Sequence, residues 1–339
     1  MKNKIVIAVD VMGGDKSPGV VIEGIELFQK QHKVANLYFK LFGKKSEIES
    51  RVEGRFAKAN IEYEIIDAPN VVLPDDKPSL VIRNKKDSSM YMAVVAIKNG
   101  EADAMVSGGN TGALMVVSRF VLGMLANINR PAAITVLPKI EGQFAILDLG
   151  ANTECSSEFL VQFSIMGTAF ARAVMMVDNP SVALLNIGSE TNKGKDSLKE
   201  AFISLSQNRD MINFDGYIEP DSLIHSSIDV VVTDGFTGNI LLKSAEGVFD
   251  MLKDTIRKAL KSYFFPISSL ISKYRISKEM SRFDPALRNG AILIGLNGIV
   301  VKSHGKSDAR FFANAIKVAY YAVHNDINSH IVNSTEEII

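Results

Sequence analysis

The sequence predicts an α/β protein built on a doubly wound, mostly parallel sheet. Three observations carry this expectation. Continuous β-branched runs, such as 5–9 and 228–233, suit strands covered on both faces. Helix-forming stretches alternate with such runs, at 19–31 and 46–58 for example. Short glycine turns follow several of the runs, at the strand ends where open α/β sheets bind ligands.

The 339 residues, 47% hydrophobic and 22% charged, suffice for a large buried core. A net charge of +0 provides no whole-molecule field for nucleic acid. The single cysteine, Cys155, excludes an internal disulfide and points to a reducing compartment. The amino-terminal apolar run is too short for a signal peptide and reads as a first strand. The run 112–128 carries Arg119 and is too short for a comfortable membrane span.

The first strand, 5–9, ends at Asp10 and a turn reading VMGGDKSP. It lacks the dinucleotide pattern GxGxxG. Asp10, Gly13 and Gly14 suit a close ligand approach, while Asp15 or Ser17 equally suits a cap for the following helix. A helix at 19–31, strands at 37–42 and 61–66 and a helix at 46–58 follow. Within 79–92, Lys86 and Ser88 lie in a stretch that suits either an anion grip or a solvated helix face.

The central stretch is ADAMVSGGNTGALM, 102–115. A strand ends near Val106, and a helix starts after Gly112. Between them Ser107, Gly109, Asn110, Thr111 and Gly112 fit an anion cradle at a helix start. They fit a capped helix with tight glycine packing as well. Strands at 132–137 and 144–147 form a hairpin, and the second leads into DLGANTEC, with Asp148 and Asn152 at the strand end. Cys155 lacks a neighbouring base and reads as a small buried hydrophobe. The stretch 159–177 is apolar almost all round, fitting a fully buried or subunit-facing helix.

After a strand at 182–187 comes GSETNKGKD, with Gly188 and Lys193. It fails the Walker pattern because Gly194 is one residue late and Asp196 replaces the magnesium-binding hydroxyl. Lys193 remains suited to an oxyanion. A strand at 228–233 precedes DGFTGN, where Asp234, Gly235 and Asn239 repeat the strand–turn–helix layout, with helix resuming over 240–252. Residues 255–288 hold eight basic residues against two acids, around the apolar stretch YFFPISSLI. This composition suits a membrane surface, an acyl chain, a subunit interface or an acidic protein. A glycine-containing apolar segment at 290–301 leads into KSHGKSD, with His304 and Ser307, and then a helix to about Asn325. No histidine or cysteine spacing suits a metal, and no cofactor is expected.

Taken together, VDVMGGDKSP, NKKDSSM, VSGGNTGALM, DLGANTEC, NIGSETNKG, VVVTDGFTGN and LNGIVVKSHGKSDA, in this order, resemble the PlsX family of bacterial phosphate acyltransferases. The resemblance spans Ile5 to about Val323. It implies transfer of a long fatty acyl group from acyl-acyl carrier protein to inorganic phosphate, giving an acyl phosphate for phospholipid synthesis. It implies a three-layer α/β/α fold similar to isopropylmalate dehydrogenase, a homodimer and a cytoplasmic protein that visits the membrane peripherally. There a membrane glycerol-3-phosphate acyltransferase takes the product. It also implies that 255–288 is a protruding helical pair, with Arg257, Lys258, Lys261, Phe264, Phe265, Leu270, Lys273 and Arg275 facing carrier protein or membrane. The expected organisation is one catalytic domain over 1–330 and a tail over 331–339.

The chemistry makes modest demands. Phosphate is already anionic, and a thiol with a pKa of about 8.5 leaves readily as thiolate. What remains is to hold phosphate against the thioester and stabilise the oxyanion. Glycine-turn amides, Lys193 and Asn239 suit that work, and His304 suits proton delivery to sulfur. Asp10, Asp148 and Asp234 suit orienting donors better than attacking. Competing expectations are a small-acyl phosphotransacylase using acyl-coenzyme A, an NAD-dependent dehydrogenase and a binding scaffold that responds to phosphate or lipid.

Overall fold

The computed structural model describes residues 4–261, 275–276, 278–280, 290–305 and 308–338. In chain order, β1 (Ile5–Asp10), α1 (Gly19–His32), β2 (Leu37–Gly43), α2 (Lys45–Val52), α3 (Arg55–Lys58) and β3 (Glu62–Asp67) come first. Then come α4 (Pro78–Asn84), α5 (Ser89–Lys98), β4 (Ala104–Ser107), α6 (Thr111–Leu122), the hairpin β5 (Ala132–Pro138) and β6 (Gln143–Leu147), and α7 (Ser157–Met175). The next are β7 (Val182–Leu185), α8 (Asp196–Gln207), β8 (Phe214–Ile218), β9 (Val230–Val232) and α9 (Gly235–Lys261). The last are β10 (Ala291–Ile294), β11 (Ile299–Lys302), α10 (Ala309–His324) and α11 (Ile327–Ile338).

Among the described residues eleven strands form one sheet in the order β3-β2-β1-β4-β11-β10-β5-β6-β9-β7-β8. β10 runs antiparallel to β11 and β5, β5 runs antiparallel to β6, and the other neighbours are parallel. β5 joins two half-sheets: Ala132–Ile134 pair with β10, and Thr135–Pro138 pair with β6. The functional loops therefore rise from two groups of strand ends in one continuous sheet.

Strand alternation divides the core into two layers. Ile7, Val9, Val106, Leu147 and Val230 face α1, α7, α10 and α11. Ala8, Met105, Ile146 and Val231 face the other way, toward α5 and α6. The expected α/β/α layering follows from this. α7 is buried almost all round. Its hydroxyls are accommodated because Ser164 and Thr168 donate to the carbonyls of Leu160 and Ser164, four residues back. A Cβ at Gly167 would lie 2.5 Å from Val230 Cγ1, so a larger residue there would push α7 off β9.

Several boundaries differ from the expectation. The 46–58 helix divides at Gly54, whose φ of +68° ends one turn and begins another. The 79–92 stretch divides into α4 and α5, with Ser88 capping the second. Residues 235–239 form the first turn of a helix that continues through Lys261, not a free loop. Residues 290–301 contain two strands, and β8 is a further strand. The expected tail over 331–339 is corrected: α11 reaches Ile338 and packs on α7, with Ile331 and Thr335 fully buried. Among the described residues no helix is long and apolar enough to cross a membrane. Phe264, Phe265, Leu270, Lys273 and Ser307 lie outside the described residues.

Candidate functional site

Three neighbouring strands end level with one another. Asp10 of β1 pairs with Ser107 of β4, and Ser107 pairs with Lys302 of β11. A carboxylate, a hydroxyl and an ammonium thus stand in a row at the sheet's carboxyl edge. Asp10 is buried, and its Oδ1 and Oδ2 accept hydrogen bonds of 2.6 Å from Ser89 Oγ and Ser107 Oγ. Burial pushes the Asp10 carboxyl above its usual range, while both serine hydroxyls pull it back. The Ser107 oxygen in turn accepts from the Gly109 amide at 3.0 Å.

Glycines let the loops above this row touch. A Cβ at Gly13 would lie 2.3 Å from Asp10 Oδ2, and one at Gly109 would lie 2.6 Å from Met90 Cε. Gly14 has φ +117°, and the next amide, of Asp15, donates to the Gly305 carbonyl at 3.1 Å. The Lys302 ammonium lies under the same loops and donates to the carbonyls of Ser303 and, at 3.4 Å, Gly108. Burial lowers the Lys302 pKa to about 8. Asp10 and Asp15 oppose that shift, and Lys243 adds to it.

Three side chains expected at the substrate already have partners in the protein. Ser88 is buried, caps α5 through the Tyr91 amide and donates to the Lys85 carbonyl. Ser107 is buried against Asp10. Asn110 caps α6 through the Ala113 amide and donates to the carbonyls of Leu73 and Pro74. These bonds fix the orientation of all three side chains. The start of α6 itself leaves donors open. Helix geometry gives the Thr111 and Gly112 amides no intrahelical carbonyl, and both residues are exposed at the first turn. Lys86 is exposed in the loop before α5.

A second rim surrounds Asp148 at the end of β6. Its Oδ1 accepts from the amides of Ala133, Gly150 and Ala151, at 2.9, 3.2 and 2.9 Å. Its Oδ2 accepts from the Asn152 backbone amide at 2.7 Å and from Asn152 Nδ2 at 2.9 Å. Burial raises this carboxyl's pKa as well, against the pull of those donors. Asn152 Nδ2 also donates to the Pro131 carbonyl, so its side chain fastens the loop. The start of α9 sits directly on that loop. The Gly235 amide donates to the Asn152 carbonyl at 2.7 Å, and a Cβ at Gly238 would lie 2.0 Å from the Asp148 carbonyl oxygen. Asn239 stands over Gly150, where a Cβ would lie 3.8 Å from its own.

Asp234 caps α9 through the Thr237 amide at 2.7 Å and pairs with Lys195 at 2.9 Å. Burial works to raise its pKa, but the Thr237 amide and the Lys195 ammonium hold it below the usual carboxylate range. Sequence reasoning singled out Lys193 and passed over Lys195. Lys193 is exposed beside Gly188, and its carbonyl accepts from Asn186 Nδ2 at 3.2 Å. A pocket of about 630 Å³ opens here, lined by Cys155, Leu160, Leu185, Leu198, Lys195 and Asp234 among others. Burial, with Asp148 and Asp234 nearby, pushes the Cys155 thiol up to about 12, so it does not supply a thiolate near neutral pH.

One helix connects the two rims. Lys243, one turn beyond Asn239 on the same face of α9, brings its Nζ within 3.4 Å of His304 Nε2. Lys243 thus links the helix that bears Asn239 to the loop that bears His304. Among the residues expected in 255–288, Arg257 and Lys258 are exposed on the last turns of α9, Lys261 closes it, and Arg275 is exposed. Among the described residues no group of three His, Cys, Asp or Glu side chains is placed to hold a metal.

The family model described as "Fatty acid synthesis protein" matches residues 5–330. The chain is 47% identical to a phosphate acyltransferase of Neorickettsia sennetsu (strain ATCC VR-367 / Miyayama), over 98% of this chain and 97% of that protein. It is 46% identical to the phosphate acyltransferase of Ehrlichia canis (strain Jake), over 97% and 98%. Among solved structures it resembles in fold a phosphotransacetylase from Streptococcus pyogenes, with a TM-score of 0.63 at 17% identity, covering 95% of this chain and 94% of that one. A branched-chain phosphotransacylase from Enterococcus faecalis V583 gives 0.58 at 15% identity, covering 94% and 99%.

Proposed function

The chain belongs to the fatty acid synthesis protein family, the phosphate acyltransferases, and on that premise we propose that it transfers a long-chain acyl group from acyl carrier protein to inorganic phosphate. A phosphate oxygen attacks the thioester carbonyl carbon, and a tetrahedral oxyanion forms. The C–S bond then breaks, and the thiolate takes a proton. The products are acyl phosphate and the carrier thiol. Asn239 donates to the oxyanion, Lys193 adds positive charge, and His304 delivers the proton to sulfur. The amides of Thr111 and Gly112 and the glycine loops around Asp10 hold phosphate. The observation that carries this reading is the Lys243–His304 contact, which ties the helix bearing Asn239 to the loop above Asp10 and Ser107.

A carrier-borne, membrane-destined acyl chain fits the outer surface of α9. Phe236, Ile240, Val248 and Met251 are exposed along it, and Arg257 and Lys258 follow. A second copy of the chain, carrier protein and an anionic membrane surface share that face in the proposed cytoplasmic cycle, which ends with delivery to a membrane glycerol-3-phosphate acyltransferase. The test is to incubate the purified protein with phosphate and either long-chain acyl-acyl carrier protein or acetyl-coenzyme A. Acyl phosphate from the carrier substrate is the expected result. Product from acetyl-coenzyme A alone would transfer the assignment to small-acyl exchange, and product from neither would leave a non-catalytic scaffold.

A further inference from the structure

Asp10 and Lys302 raise a question that the reaction as written leaves open. The cradle amides carry only partial charge, Lys193 is exposed, and Lys195 is paired with Asp234. Phosphate must nevertheless be drawn out of water beside a buried carboxylate that would repel it. Lys302 lies in the right place to reverse that repulsion. It shares the strand-end row with Asp10 and Ser107, and its ammonium sits against the Gly108 and Ser303 carbonyls, where the glycine loop begins.

We propose that Lys302 is the charged floor of the phosphate site, an ammonium held under the glycine cradle that neutralises Asp10 and binds the incoming anion. This rests on the acyl transfer reading given above and adds to it the group that supplies the charge. The charged groups facing Lys302 are Asp10 on β1, Asp15 on the loop after β1 and Lys243 on α9. The two carboxyls favour the ammonium, while Lys243 and burial disfavour it. With its pKa lowered to about 8, Lys302 loses its proton as pH rises through that value when phosphate is absent. A bound phosphate dianion favours the protonated form, so phosphate binding takes up a proton above pH 8.

The sign is fixed by linkage: affinity for phosphate is full below the free-enzyme pKa and falls as pH rises through it. The experiment measures the phosphate KM of the wild-type enzyme from pH 7.5 to 9, at saturating acyl-acyl carrier protein. A KM that rises across the range supports the proposal. Lys302→Met is expected to raise the phosphate KM about 10- to 100-fold at the low end of that range and to flatten its pH dependence. Lys302→Arg, always charged, should flatten the profile with a smaller rise. A flat wild-type profile, which needs no variant to fold, overturns the proposal. So does a folded Lys302→Met enzyme that loses kcat at unchanged phosphate KM, because a purely structural clamp would behave that way. A wild-type protein that makes no acyl phosphate from any donor would instead overturn the acyl transfer reading itself.

Discussion

Asp10 and Asp148 end strands in opposite halves of one sheet, and burial raises the pKa of both. Each site stabilises its carboxyl differently. Asp10 receives hydroxyls from Ser89 on α5 and Ser107 on β4, elements distant in the chain, with smaller contributions from the backbone amides of Met12 and Gly13, and has Lys302 in the same strand-end row. Asp148 receives no hydroxyl among the described residues: four backbone amides, three from its own loop and one from β5, are joined by Asn152 Nδ2, itself fastened to the Pro131 carbonyl. A hydroxyl can rotate to donate or accept, whereas a backbone amide only donates. The first rim is thus adjustable at its two serines, draws three elements together and lies beside a cation. The second is a fixed seat for the start of α9, and through it for Asn239. In this account the adjustable rim binds the anion, and the rigid rim aims the oxyanion donor.

Substitutions that separate those two roles sharpen the comparison. The largest effect is expected at Asn239. Asn239→Ala should slow acyl phosphate formation by about 100-fold, the loss of one oxyanion donor, with thermal unfolding unchanged. Lys193→Ala should act in the same direction. Near-normal rates in both purified variants would remove the proposed roles.

Next comes the contrast between the carboxylates. Asp148→Asn forces an amide NH₂ against donors that cannot turn and should cost about 2–3 kcal/mol in urea unfolding. Asp10→Asn leaves its remaining oxygen to the Met12 and Gly13 amides and turns its NH₂ to rotatable serines, and should cost less, about 1 kcal/mol. Equal losses would break the distinction between the rims. The smallest effect belongs to Cys155. Cys155→Ala should retain most activity, because a thiol held near 12 supplies no nucleophile at working pH. An isolable acyl adduct on Cys155 would contradict this.

Much of this arrangement is legible in the sequence, for local reasons. The strands ending at Asp10, Ser107 and Asp148, and the one before Asp234, are apolar runs that stop at a polar residue and a glycine. Such a pattern marks both strand and rim without knowledge of any partner. Lys302 ends such a run too, IVV before KSHG, but its partnership with Asp10 is not legible from it. Its importance comes from lying level with Asp10 across two parallel pairings, and Asp10 is far from it along the chain.

Gly235 and Gly238 read as turn residues because glycine is a poor helix former. Here they lie in the first turn of a helix, and glycine stands at both because nothing larger fits against the Asp148 loop. β8, sequence FDGYI, carries a glycine and an aspartate that hide its strand character. The segment holding β10 and β11 is interrupted by Gly295 and Gly298, both at positive φ, which allow a tight antiparallel return. α11 is polar along much of its length, and only the spacing of Ile327, Ile331 and Thr335 marks its buried face.

The central claim is that phosphate and thioester meet in one site and react without a covalent enzyme intermediate. Rapid-quench measurement of carrier thiol release, with enzyme near the concentration of acyl-acyl carrier protein, tests it most directly. Without phosphate, thiol release should be negligible, and with phosphate each thiol should appear together with one acyl phosphate. A burst of thiol stoichiometric with enzyme in the absence of phosphate would contradict the account.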